Sequence, residues 1–136
     1  MDASILVPLF LNDPFSRRAE EFLSLRKPVA VVSDFAAAEF SSVLSRRVRT
    51  KENSEAEVRS AFQDFDQWIA STAQCIECEP ADVRRADQFL RRLNLTLRAP
   101  DAIHIAIAQR IGAELVTFDV RMIASARALD VSVTPA

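Results

Sequence analysis

The chain has 136 residues, a formal net charge of −2, 49% hydrophobic residues, one Gly, six Pro and two Cys. That length suits one domain, and the apolar content excludes disorder. So little Gly argues against a hairpin-rich β architecture, no apolar run is long enough to cross a bilayer, and two Cys do not make a disulfide framework.

No basic stretch precedes an apolar run at the start, so no secretory signal is expected. The expected compartment is a reducing cytoplasm. Of the 17 basic residues only Lys27 and Lys51 are lysine, and the rest are arginine, the better bidentate partner for phosphate. They bunch at Arg46, Arg47, Arg49 and Lys51 and again at Arg84, Arg85, Arg91, Arg92 and Arg98. Such runs are ordinarily solvated helix faces, and they also permit a phosphate track.

In chain order, Asp2 stands ahead of the apolar run "ILVPLFL". Residues 13–25 carry helical spacing at Phe15, Ala19, Phe22 and Leu23, with Asp13 as N-cap and Pro14 at the first helical position. "PVAVVS" over 28–33 suits a short buried strand. A helix follows over 34–49, capped by Ser33 or Asp34. The next, over 54–72, opens with the Ser54-x-x-Glu57 capping box. A strand is predicted over 74–79 and a helix over 80–94 behind Pro80. Residues 100–112 are apolar nearly all round, the mark of a core helix, and Gly112 stops it. A strand over 114–118, a helix over 121–129 and a strand over 131–134 close the chain. Strands alternating with helices argue for an α/β fold with a mainly parallel sheet covered on both faces, in one domain spanning 1–136.

Four carboxylates stand at informative places. Asp119 directly follows a predicted strand, and in open α/β sheets ligands bind at the carboxyl ends of strands. Asp101 opens a helix, where its bland role is an N-cap. Glu39 lies on the flank of the apolar stripe of its helix, where a Glu is rare unless paired or metal-bound. Asp2 reads equally as an ordinary polar residue near the start. Four carboxylates at close range repel unless a cation joins them, and an all-oxygen set selects Mg²⁺ or Mn²⁺. If the four converge, metal-assisted phosphodiester hydrolysis is the natural chemistry. Spacing alone does not establish that they converge.

Other candidates are weaker. Cys75 and Cys78 form a C-x-x-C, but a zinc site needs two further ligands and His104 is the only His. His104 itself sits in the apolar helix as a core histidine. Phe62, Phe65 and Trp68 read as core or partner-facing packing. Phe10, Phe15, Phe22, Phe35 and Phe40 are dense enough to predict an apolar partner surface over two helices. A phosphoacceptor domain would want a Lys near the last strands, which Lys27 and Lys51 do not supply. An aspartyl phosphatase would want Asp-x-Asp where Asp2-Ala3-Ser4 stands.

The succession Asp2-x-Ser4, "AAAEFSSVL", "PDAIHIAIA" and "LVTFD" resembles the PIN-domain family, and more narrowly the VapC-type toxins of toxin–antitoxin pairs. The resemblance covers essentially the whole chain. It implies a three-layer α/β/α sandwich with a mainly parallel sheet of about five strands. It also implies that Asp2, Glu39, Asp101 and Asp119 are the metal-binding and catalytic acids, with Ser4 and Thr117 as supporting hydroxyls. The implied activity is Mg²⁺-dependent endoribonuclease, with Mn²⁺ as a substitute. The implied partners are an RNA substrate, a small cognate antitoxin and a second copy of the chain. Only Met1 precedes Asp2 here, so the first strand of such a fold is expected to be truncated. The competing implication is a PIN-like fold kept as a non-catalytic binding or assembly protein.

Overall fold

The apolar run behind Asp2 is helical in the computed structural model, which describes residues 1–136. This helix, α1 (Ala3–Phe10), is followed by α2 (Ser16–Arg26), β1 (Val31–Ser33), α3 (Asp34–Arg49), α4 (Glu55–Thr72) and β2 (Gln74–Ile76). Together these make one compact unit, Met1–Ile76. A second unit, Glu77–Ala136, holds α5 (Pro80–Leu90), α6 (Ala99–Ile111), β3 (Leu115–Thr117), α7 (Val120–Ala128) and β4 (Val133–Pro135). No helix is long and apolar enough to cross a membrane.

In the first unit β1 and β2 pair in parallel, Val31 opposite Gln74 and Ser33 opposite Ile76. Ser33 ends the strand and starts the helix: its Oγ accepts the Ala36 N–H at 3.0 Å, so α3 begins where the sequence places it. The Ser54 box also forms, with Ser54 Oγ accepting the Glu57 N–H at 3.2 Å and Glu57 Oε2 accepting the Ser54 N–H at 2.7 Å. The core joins α1, α3 and α4 through Leu6, Phe40, Leu44 and Phe65, the first three fully buried. Phe40 stacks on Phe65 at 4.4 Å, and Phe10 stands edge-on to both.

Of the five Phe rings expected to form an apolar partner surface, Phe40 alone is buried outright. Phe40 is fully buried and Phe10 packs in the aromatic cluster, because three helices converge on them. Phe15 is 45% exposed, while Phe22 and Phe35 are half-buried. Asp13 does not cap α2 as predicted. Its Oδ1 accepts the Phe15 N–H at 3.0 Å in a turn ahead of the helix, and its Oδ2 takes Arg47 Nη2 at 2.5 Å.

In the second unit β3 and β4 are also parallel, Leu115 opposite Val133, joined through α7 in a β-α-β connection. Ala102, Ile105 and Ala126 are fully buried in its core, beside Phe89, Leu115 and Met122. Arg110, in the last turn of α6, reaches the start of α5. Its Nε and Nη2 grip Asp82 Oδ1 and Oδ2 at 2.8 and 2.9 Å, its Nη1 holds Glu79 Oε1 at 2.9 Å, and Nη2 also meets the Glu77 carbonyl at 2.8 Å. These contacts set the end of α6 beside the beginning of α5, so the two helices run antiparallel.

The sheet is sparser than expected. Four strands form two parallel pairs, β1–β2 and β3–β4, where the sequence implies about five. No strand precedes α1, and the Met1 ammonium donates a hydrogen bond to the Val31 carbonyl of β1 at 3.0 Å. Each observed strand has three residues, so the predicted runs 28–33, 74–79, 114–118 and 131–134 overstate them. α5 stops at Leu90 rather than 94, because the chain turns left-handed at Leu93. Five residues take left-handed φ, one after each of α2, α3, α5, α6 and α7: Lys27, Lys51, Leu93, Gly112 and Asp130. Only one of them is glycine, so the scarcity of Gly did not prevent tight helix ends.

Candidate functional site

Asp2 and Glu39 belong to the first unit, Asp101 and Asp119 to the second. Asp2 occupies the N-cap position of α1 and is 4% exposed. The Ser4 hydroxyl donates to Asp2 Oδ1 at 2.7 Å, which fixes the carboxylate's rotamer. The Met1 ammonium next to it is buried, which pulls its pKa below 8.0 while the Asp2 charge opposes that shift. Glu39 lies in the second turn of α3, half-buried, one residue before the buried Phe40.

In the second unit Asp119 follows β3 and caps α7. Its Oδ1 accepts the Arg121 and Met122 N–H groups at 2.7 and 3.2 Å. Its own N–H donates to Thr117 Oγ1 at 3.0 Å, and Thr117 is fully buried at the strand's end. Asp101 is not the N-cap of α6 that its bland reading makes it. Arg98 holds that position, and Asp101, in the first turn, returns Oδ2 to the Arg98 N–H at 3.0 Å. Helix α6 feeds β3 and packs on it, an arrangement that turns the helix start toward the strand's carboxyl end, where Asp119 stands.

Three of these four carboxylates sit at the starts of helices, where the macrodipole favours negative charge. Asp119 Oδ2 and Asp101 Oδ1 accept no hydrogen bond from the chain, so each keeps an oxygen for another partner. The donors are all carboxylate or hydroxyl oxygens, which fits a hard divalent cation such as Mg²⁺ and does not fit a thiolate-selecting metal. No three His, Cys, Asp or Glu side chains stand close enough together in the chain to form a metal-holding group. Cys75 lies exposed in β2 and Cys78 just beyond it, with no set of further ligands around them. His104 is buried inside α6.

Sequence reasoning missed the Asp82–Arg110 pair. The available signal was an aspartate three residues after Glu79 at a helix start, together with an arginine in the last turn of the apolar helix.

The family model of the PIN domain matches residues 1–128. Among solved structures, Mycobacterium tuberculosis VapC20, described as a sarcin-ricin loop cleaving toxin, is similar with a TM-score of 0.70 at 17% identity, covering 91% of this chain and 92% of that one. VapBC2 from Rickettsia felis, bound to a DNA fragment from its promoter, is similar with a TM-score of 0.69 at 16% identity, covering 98% of this chain and 94% of that one. Comparison with curated proteins gives no match. At these identities the two structures speak for the fold, and the family model, matching nearly the whole length, speaks for membership: the chain belongs to the PIN-domain family.

Proposed function

We propose that the chain is a Mg²⁺-dependent endoribonuclease and the toxin of a toxin–antitoxin pair, one PIN-like domain spanning 1–136. The observation that carries this reading is the placement of acids at strand and helix ends within a PIN-family chain, above all Asp119 at the end of β3 with Oδ2 uncommitted. Asp2, Glu39, Asp101 and Asp119 are the proposed metal ligands and catalytic acids, and Ser4 and Thr117 the supporting hydroxyls. Mn²⁺ is the expected substitute.

When bound, the cation activates water and neutralises charge on the phosphate oxygens. The residues of the chain hold that chemistry in place. Ser4 keeps Asp2 in one rotamer. The N–H groups of α7 hold Asp119 and leave one oxygen for the ion. Thr117 Oγ1 accepts the Asp119 N–H at the end of β3 and so ties the hydroxyl to the backbone of the acid. The proposed partners are an RNA substrate, a small cognate antitoxin and a second copy of the chain, in the cytoplasm. They rest on the family, on the printed toxin activity of the mycobacterial relative and on the paired VapBC2 assembly.

The test is Asp101→Asn. Asn can still return an oxygen to the Arg98 N–H, so the helix start survives. It cannot supply a charged oxygen to Mg²⁺. Cleavage of RNA by purified, partner-free protein should fall at least about a hundredfold, or about 2.7 kcal/mol of transition-state stabilisation, with melting unchanged. Undiminished cleavage by the folded variant removes Asp101 from the site and breaks the four-acid reading. Absence of any Mg²⁺-dependent cleavage by the parent chain favours the non-catalytic alternative.

A further inference from the structure

A groove of about 440 Å³ in the second unit is lined by Arg85, Gln88 and Arg92 from α5 and its end, Gln109 from α6, and Asp130 beyond α7, over the ring of Phe89. None of the four proposed catalytic acids lines it. Gln109 lies eight residues, about 12 Å along the helix axis, from Asp101.

Arg85 is held in place three ways. Its Nε donates to Gln109 Oε1 at 3.0 Å, its Nη1 donates to Gln88 Oε1 at 3.1 Å, and its guanidinium lies 4.9 Å above the Phe89 ring centroid. Each Gln Oε1 accepts an Arg85 N–H, which leaves the NH₂ group of each side chain as a donor beside the groove. Arg92 is exposed; its backbone N–H donates to the Phe89 carbonyl at 3.2 Å, and its guanidinium enters no ion pair. The lining is therefore a fixed arginine, an unpaired arginine and two amide donors, with Asp130 as its one carboxylate.

We infer that this groove binds a stretch of the RNA substrate's backbone away from the cleaved bond, Arg85 and Arg92 each taking a phosphate. The inference rests on the nuclease reading. The donors want an acceptor-rich anion, and arginine forks fit phosphate oxygens. Asp130 decides between the two polyanions that could fit. It supplies an acceptor for a ribose 2′-hydroxyl, a donor that the carboxylates of an acidic peptide lack. The sequence carries the trace of this site as Arg85, Gln88, Phe89 and Arg92 at positions i, i+3, i+4 and i+7, one face of α5 continued past its end.

The experiment uses the full chain freed of partner, a fluorescent single-stranded RNA, and chelator to prevent cleavage, with anisotropy read across a salt series. Loss of two phosphate contacts lowers the log–log salt slope by about 1.4 and weakens binding about 25-fold near ~0.1 M salt. The double variant Arg85→Gln/Arg92→Gln should show both changes. Arg84→Gln/Arg91→Gln removes the same charge from other positions of the same segment and should show neither. Melting curves and Mg²⁺-dependent cleavage are recorded in parallel. Equal weakening by the two pairs reduces the effect to net charge and overturns the groove. So does unchanged binding by the first pair, failure of the parent to bind RNA, or equal competition by an acidic peptide. If the groove-dependent RNA binding is present but Mg²⁺-dependent cleavage is absent, the groove stands and the nuclease reading falls.

Discussion

At the residue scale the strongest polar contact is the one between Asp82 and Arg110. Asp82 is 2% exposed and carries both arginine hydrogen bonds. Burial alone would raise its pKa. The Arg110 hydrogen bond, the Glu79 N–H and the Arg110 charge outweigh that and hold the carboxyl below its ordinary 3.8. A depressed carboxylate pKa contributes stability that is complete above the unfolded value and is lost as pH falls through the folded one. Arg110→Met leaves that carboxylate buried without its partner, and should cost about 3 kcal/mol in urea unfolding near neutral pH. The gap between parent and variant should close as pH is taken below 3.8. A gap that persists undiminished in acid would show that the arginine acts through packing of its aliphatic stem alone. The sequence made Asp101 legible as a helix-start residue but not its position in the first turn, because a cap and a first-turn acid differ by backbone geometry and not by residue type. Asp2 was the least legible of the acids: its burial and its bond from Ser4 depend on a helix immediately behind it.

At the element scale, local chemistry was readable and lateral pairing was not. α3 was legible to the residue, since Ser33 and the basic residues of its last turn are short-range signals. The box at Ser54 likewise set the start of α4. Ser54→Ala removes the acceptor of the Glu57 N–H and should lower stability by about 1 kcal/mol, read as a shift in the urea midpoint with unchanged slope. The strand lengths were overestimated because β-branched residues mark a buried extended run, whereas only three residues of each run find a neighbour to pair with. The apolar pattern of Phe, Leu and Trp across α1, α3 and α4 predicted packing but not which rings would be covered. Phe40 turned out to be the keystone of that cluster. Phe40→Ala should cost about 3–5 kcal/mol, far more than Phe15→Ala on a ring that is 45% exposed. Comparable effects of the two changes would contradict the packing described here.

For the whole molecule, membership of the PIN-domain family was legible from the order of four short motifs, although no one of them is specific. What the sequence could not provide was convergence, because distances between residues 2, 39, 101 and 119 are set by the fold and not by spacing. The proposed metal ligands are charged oxygens, so an ion bound to the folded chain stabilises it by mass action. Mg²⁺ at about ten times its dissociation constant should add about 1.4 kcal/mol to the unfolding free energy. The check is a thermal melt in millimolar Mg²⁺ against the same melt in chelator. Coincident curves would oppose the four-acid centre. Asp119→Asn should abolish the Mg²⁺-induced shift, because it removes the charge on Oδ2, and should retain the cap of α7, because Asn also accepts from N–H groups at a helix start.

The left-handed helix ends bear on how far this protein could be hardened. An L-residue in that conformation costs about 1–2 kcal/mol relative to its right-handed state, and glycine pays little of it. Lys51 and Leu93 are both exposed and sit at φ 60° and 59°. Replacing either by Gly exchanges that strain for about 0.5–1 kcal/mol of added freedom in the unfolded chain. The net gain per site should be a few tenths of a kcal/mol to about 1 kcal/mol, additive because the two turns lie in different units. A heat-tolerant form of the chain is therefore within reach by two changes that touch neither the acids nor the arginine groove.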